Sequence, residues 1–214
     1  MSTAVLFDKV NYSDLLDDFS FKINIGTRVL VITASEEESF LLAGLMIGLT
    51  PLDSGSINIS GCSVSESNQE VLLQLRSKIG IVPSVGGLVS NLKVWENIFL
   101  PYLYHFGKPT PLDEDIAENY LKELNYTGRR MVLPAHLTLY EKRVVAFIRS
   151  AVMNPDLMLY CNTLEKLSPQ QQTGLSNVIN RFHSESFTRT SIFFASSADA
   201  ISTYEFDTVI SVHR

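Results

Sequence analysis

The run Val29–Leu49, VLVITASEEESFLLAGLMIGL, decides how the rest of the chain is read. Arg28 to Ile32 reads as a continuous apolar strand, the type buried on both faces of a parallel sheet. It breaks at Thr33-Ala34-Ser35, and an apolar helix-like run follows as far as Leu49. In many nucleotide-binding proteins the turn between such a strand and helix is rich in glycine and carries a lysine for phosphates. Here it carries Glu36, Glu37 and Glu38. As local physics the three carboxylates suit a helix start. Ser35 is placed as N-cap with Glu38 at N3, a capping box. Glu36 and Glu37 fall in the first turn, where negative charge favours the helix dipole by about 0.3–1 kcal/mol each.

Working outward, Val5–Phe7 and Phe19–Ile23 read as short strands, Ser56–Ser60 as a strand ending at Gly61, and Gln69–Arg76 as a short helix. Ile79–Val82 is a strand stopped by Pro83, and Val94–Leu100 opens a helical section. An amphipathic helix follows Pro111, with Ile116, Tyr120, Leu121 and Leu124 on one face. Leu139–Met153 is a long helix stopped at Asn154-Pro155, and Leu157–Cys161 is another buried strand. Pro169–Phe182 is helical, and Ser191–Ala195 and Thr208–Val212 are strands. Strands alternating with helices predict an α/β domain with a largely parallel sheet, into which the helical stretch of about 85–153 is inserted.

With 214 residues, 45% of them hydrophobic and 19% charged, the chain can bury a substantial core. Its net charge of −6 and lack of a basic run argue against nucleic acid as a partner. Met1–Val10 has no basic start and no sustained apolar stretch, so no signal peptide is expected. The longest apolar run is too short to span a bilayer, and any membrane contact is expected only through a partner. Cys62 and Cys161 have no CxxC or histidine companions and read as reduced thiols.

Four stretches in this order of elements carry a family resemblance: DDFSFKINIGTRVLVI, GLTPLDSGSINISG, IGIVPSVGGLVSNLKVWENIFLP and LTLYEKRVVAFIRSAVMNPDLMLY. Over almost its whole length the chain resembles the ATPase subunit of ABC transporters. The stretch GGLVSNLKVWENIFLP is most similar to subunits of MCE-associated lipid-transport systems. The resemblance implies a P-loop NTPase-like ABC ATPase fold: a mixed, mainly parallel sheet core, antiparallel N-terminal strands and a helical subdomain. It implies one cassette-like domain over 1–214, with a RecA-like core at about 1–84 and 154–214 and the helical subdomain at about 85–153.

Residue by residue, the family's site positions are substituted. Thr33 takes the first phosphate-loop glycine, Glu36 and Glu38 the next two, Ser39 the lysine and Phe40 the metal-binding hydroxyl. Ser84 stands at the Q-loop glutamine, and Leu137-Thr138-Leu139-Tyr140-Glu141 replaces the signature. Cys161 and Asn162 replace the Walker B acids, Ser168 the D-loop aspartate and Ser197 the switch histidine. Leu139 and Tyr140 are expected to obstruct the opposite subunit's nucleotide. Tyr12 is near the adenine-stacking position, but the shortened Tyr12–Leu16 loop does not support that role. Two carboxylates ~4–5 Å from a phosphate would each repel it by ~3–4 kcal/mol at an intermediate dielectric, with no lysine left to offset them. The expectation is therefore a pseudo-ATPase with no catalytic residue, no cofactor and no metal.

Other candidates are read blandly. His105, His136, His183 and His213 lack metal-ligand spacing. Cys161 lacks a partner base, Ser196–Asp199 lacks a nucleophile-elbow turn, and Glu141-Lys142-Arg143 reads as a mixed-charge helix surface. Val85, Gly86, Gly87, Leu88 and Trp95 form a candidate permease-docking stretch, with Trp95 as plain core of the helical lobe the alternative. The leading functional expectation is an interaction or regulatory subunit of a membrane, lipid-carrying, ABC complex. Its partner would be a permease, another ATPase-like chain or a second copy, on the inner face of the cytoplasmic membrane. A free-standing scaffold and a residual ATP-binding subunit are the alternatives.

Overall fold

The computed structural model describes residues 2–201 and 204–212, so His213 lies outside the described residues. Two sheets organise it. The antiparallel one has the order β2–β1–β4–β5, from β1 (Thr3–Tyr12), β2 (Leu16–Asn24), β4 (Ser54–Ile59) and β5 (Cys62–Ser63). The parallel one has the order β6–β7–β8–β3–β9, from β3 (Arg28–Ile32), β6 (Ile79–Val82), β7 (Leu157–Cys161), β8 (Thr190–Ala195) and β9 (Thr208–Ser211). This is the mixed arrangement expected, with the antiparallel strands at the N-terminal side.

Strand periodicity divides the interior. Along β7, Leu157, Leu159 and Cys161 join one apolar cluster, while Met158 and Tyr160 join the other. The first cluster lies under the antiparallel sheet and α1 (Glu36–Met46). The second is closed by α3 (Val94–Phe106), α4 (Pro111–Glu123), α5 (Leu139–Ala151) and α6 (Pro169–Ser184). All five residues of β7 and all six of β8 are buried, as strands covered on both faces require. The remaining helix, α2 (Gln69–Arg76), has Leu72 and Leu75 in the first cluster.

Two helices show what sets their ends. α1 stops at Met46 rather than near Leu49, because Gly48 adopts φ 65° and the Leu49 N–H turns back to the Gly44 carbonyl at 2.9 Å. α3 runs through Pro101 to Phe106. The proline removes one helical donor, but edge-to-face contacts Trp95–Phe99, Phe99–Tyr102 and Tyr102–Phe106 carry the helix across it. Among the described residues no helix is long and apolar enough to cross a membrane.

Candidate functional site

The turn from β3 into α1 is tied by its own side chains. The Ser35 hydroxyl accepts the Glu38 N–H at 3.2 Å, making Ser35 the N-cap. The Glu38 carboxylate does not close the expected capping box on the Ser35 N–H. It reaches one residue further back and accepts the Ala34 N–H at 2.7 Å. Thr33 and Ser39, both buried, share a hydroxyl–hydroxyl bond of 2.8 Å, and the Ser39 hydroxyl also donates to the Ser35 carbonyl at 3.1 Å. Phe40, at the position of the metal-binding hydroxyl, is exposed.

Glu36 points away from the turn. Its Oε2 accepts the Ser84 hydroxyl at 3.0 Å, and its Oε1 forms an ion pair with Lys166 from the turn after β7. The Lys166 bond, foremost, and the Ser84 bond hold the Glu36 carboxyl below its ordinary value, and Lys166 is pushed up in turn. Sequence reasoning missed Lys166, which is 130 positions from Glu36. The statement that no lysine offsets the glutamates is thereby corrected, since the fold brings one beside them.

Arg143 is also corrected. It is 1% exposed rather than part of a helix surface, and its Nε–H donates to the Ser84 carbonyl at 2.5 Å while Nη1–H reaches the Glu165 carbonyl. Burial lowers its affinity for its proton, partly offset by Glu36 and Glu165. The buried Glu165 in turn accepts the Ser196 N–H at 2.6 Å and the Ser196 hydroxyl at 3.0 Å. Glu36, Ser84, Arg143, Glu165 and Ser196 therefore link α1, the loop after β6, α5, the turn after β7 and the end of β8.

Most of the other positions serve the fold. Thr138 caps α5, with the Glu141 carboxylate accepting the Thr138 N–H at 2.9 Å, and Ser168 caps α6 with Gln171 in the same manner. Tyr140 does not project from the end of α5 as expected. Its hydroxyl donates to the Leu124 carbonyl at 2.9 Å, leaving Leu139 as the exposed apolar residue there. The Ser197 hydroxyl accepts the Ala200 N–H at 3.2 Å. Asn162 is buried in a left-handed conformation, φ 49°. Cys161 is fully buried, which pushes its thiol up to about 12. Tyr12 ends β1 in register with Leu16 in a tight hairpin.

The buried thiol of Cys161 and the phenyl ring of Phe40 offer no oxygen to Mg²⁺, which takes oxygen ligands in octahedral geometry. Among the described residues no three His, Cys, Asp or Glu side chains are grouped to hold a metal ion.

The loop from Pro83 to Lys93 is held against the helices. Gly86 and Gly87 take φ 83° and 51°, and Arg149 donates to both carbonyls, at 3.3 and 2.9 Å. Buried Asn97, another residue the sequence did not single out, accepts the Val89 N–H at 2.7 Å and donates to the carbonyls of Val89, Leu92 and Lys93. Val85 is 61% exposed, Leu88 is half-buried, and Trp95 packs on the helical core beneath the Arg130 guanidinium. His105 and His136 are exposed, whereas His183 is buried and shares a 3.0 Å bond with the Ser191 hydroxyl.

No family model matches the chain. It is 33% identical over 176 residues to methionine import ATP-binding protein MetN 2 of Paraburkholderia xenovorans, covering 78% of this chain and 45% of that protein. A MetN 2 of Enterococcus faecalis is 26% identical over 170 residues, covering 79% and 49%. The chain thus spans about half the length of the curated relatives it matches. Among solved structures, cbiO1 of Clostridium perfringens, part of the ABC transporter complex cbiONQ, superposes with TM-score 0.77 at 19% identity, over 99% of this chain and 85% of that one. The dimeric bacterial ABC transporter cassette MJ0796 gives 0.82 at 17% identity, over 97% and 94%. These establish the ABC ATPase form of the P-loop NTPase fold, and the sequence relatives it resembles are ATP-binding proteins of import systems.

The expectation that the chain is not an enzyme is overturned by those relatives, which are named for ATP binding and point to an ATPase. The physical reason lies in the geometry. The repulsion estimate treated Glu36 and Glu38 as bare charges facing a phosphate, whereas Glu36 is paired with Lys166 and Glu38 is turned onto Ala34.

Proposed function

We propose that this chain, which has the fold of the ABC transporter ATPases, is the ATP-binding component of a membrane transport complex. The observation that carries the reading is the 33% identity to a methionine import ATP-binding protein, extending over 78% of the chain. On this reading about 1–84 and 154–214 form the nucleotide-side core, and the subdomain of about 85–153 meets a permease at the inner face of the membrane. Two features support the docking part: the loop at Val85–Leu88 is fixed by Arg149, and it offers apolar side chains outward. A structural neighbour belongs to a transporter complex and another is dimeric, which supports a permease and a second cassette as partners. In this conformation the phosphate turn is closed by its own carboxylate, so a bound nucleotide must displace Glu38 from Ala34 and separate Glu36 from Lys166. The transported substrate is proposed as a lipid, on the likeness of the docking stretch to MCE-associated subunits. Affinity purification of the tagged chain from membranes tests the proposal. Recovery with a permease supports it, and an MCE protein in the same complex supports the lipid reading. A chain that leaves all membrane components behind contradicts it.

A further inference from the structure

Ser84 is 2% exposed, its hydroxyl donates to Glu36, and its carbonyl accepts the guanidinium of Arg143. It lies next to the exposed Val85 and one turn before the two glycines that Arg149 holds. The loop therefore has anchors of two kinds. Toward the helices it is held by Arg143, Arg149 and Asn97, of which the two arginines keep their charge through the accessible pH range. Toward α1 it is held by a carboxylate, a group that titrates. We propose that Glu36 is a pH-sensitive latch: its carboxylate holds Ser84, and with it the Pro83–Val89 segment, against the first turn of α1, and protonation loosens that segment by removing this one anchor.

Charged groups reach Glu36 from several elements. Lys166 comes from the turn after β7, with Glu165 beside it, and Arg143 comes from α5. Glu37 and Glu38 belong to its own helix. Lys166 and Arg143 favour the ionised carboxyl, and Lys166 touches it directly. The latch is therefore closed at neutral pH. As pH falls, a protonated Glu36 gives up the ion pair and loses the charge that strengthens the Ser84 bond. Because its value is depressed by those contacts, opening occurs below the ordinary glutamate value of 4.5. The latch stands on these contacts alone, and only its effect on a docked partner rests on the function proposed above.

Hydrogen exchange on the isolated full chain tests it without any partner. Exchange of the Ser84–Leu92 amides, corrected for intrinsic rate, is followed from neutral pH down through the carboxylate range, with β7 and β8 amides as the internal reference. In the wild type the loop is expected to open about tenfold more in acid, the equilibrium equivalent of one charge-assisted hydrogen bond, while the reference strands stay protected. Glu36→Gln should exchange fast at neutral pH and show no transition. Ser84→Ala should do the same while leaving α1 untouched, so the result does not depend on how the glutamine variant folds. Lys166→Met should keep a transition but move it upward toward 4.5. A wild-type loop whose opening ignores pH, or a Ser84→Ala loop protected like the wild type at neutral pH, overturns the latch.

Discussion

At Glu38 the carboxylate is 5% exposed and accepts the Ala34 N–H at 2.7 Å, while its own N–H is received by Ser35. One donor of the turn, at Ala34, and one of the helix start, at Glu38, are thus satisfied by side chains, the role that phosphate oxygens play in a glycine-rich turn. Glu38→Ala should therefore cost about 1–2 kcal/mol and lower the melting temperature by several degrees, measured by differential scanning calorimetry. An unchanged melting temperature would show that the Ala34 bond carries no stability. The S-x-x-E pattern made the capping role of Ser35 legible, but not that Glu38 would reach Ala34 instead of Ser35. Lys166 was not legible at all, because its meeting with Glu36 is made by the parallel strand order rather than by any spacing. Arg143 carried a signal that was passed over. It lies three and four positions before Ala146 and Phe147, on the buried face of α5, so a charge there had to find buried partners.

Helix starts explain much of what replaces the family's site chemistry. α1, α5 and α6 begin at Ser35, Thr138 and Ser168, and each cap hydroxyl receives a backbone N–H of its own first turn. At α5 the Glu141 carboxylate completes the box, so a helix end that could greet an anion is already satisfied. These caps, like the unbroken apolar strands β3 and β7, could be read from the sequence because capping and burial are local patterns. The continuation of α3 past Pro101 could not, since it depends on an aromatic series whose partners are visible only once the helix exists. The loop before α3 gives the prediction at this scale. A Cβ on Gly86 would lie 2.8 Å from the Lys142 carbonyl oxygen, and φ there is 83°. Gly86→Ala should cost about 1–3 kcal/mol and weaken recovery of a permease in the purification described above. Retention of both stability and recovery would mean that the loop's glycine conformation is not what presents Val85 and Leu88.

For the molecule as a whole, the two apolar clusters on either face of the parallel sheet account for why the fold persists while the turn after β3 departs from the residue types of a phosphate-binding turn. The fold class was legible throughout the sequence, because alternating strands and helices with buried strand patterns determine it. The nature of the site was legible only as a set of substitutions. Their electrostatic sum cannot be read from spacing, since charge pairing is a property of the folded whole: Glu36 meets Lys166 across the site, and Arg143 bridges the loop and the turn. With Glu36 paired, phosphate oxygens have to compete with an internal ion pair for the Lys166 ammonium. Replacing Glu36 removes that carboxylate and frees the Lys166 ammonium beside α1. Calorimetric titration of ATP into the wild type and Glu36→Ala tests this most directly. Binding should be about tenfold tighter in the variant, the equivalent of one charge-assisted hydrogen bond from the freed Lys166 ammonium to a phosphate oxygen. Equal affinities, or tighter binding by the wild type, would contradict it.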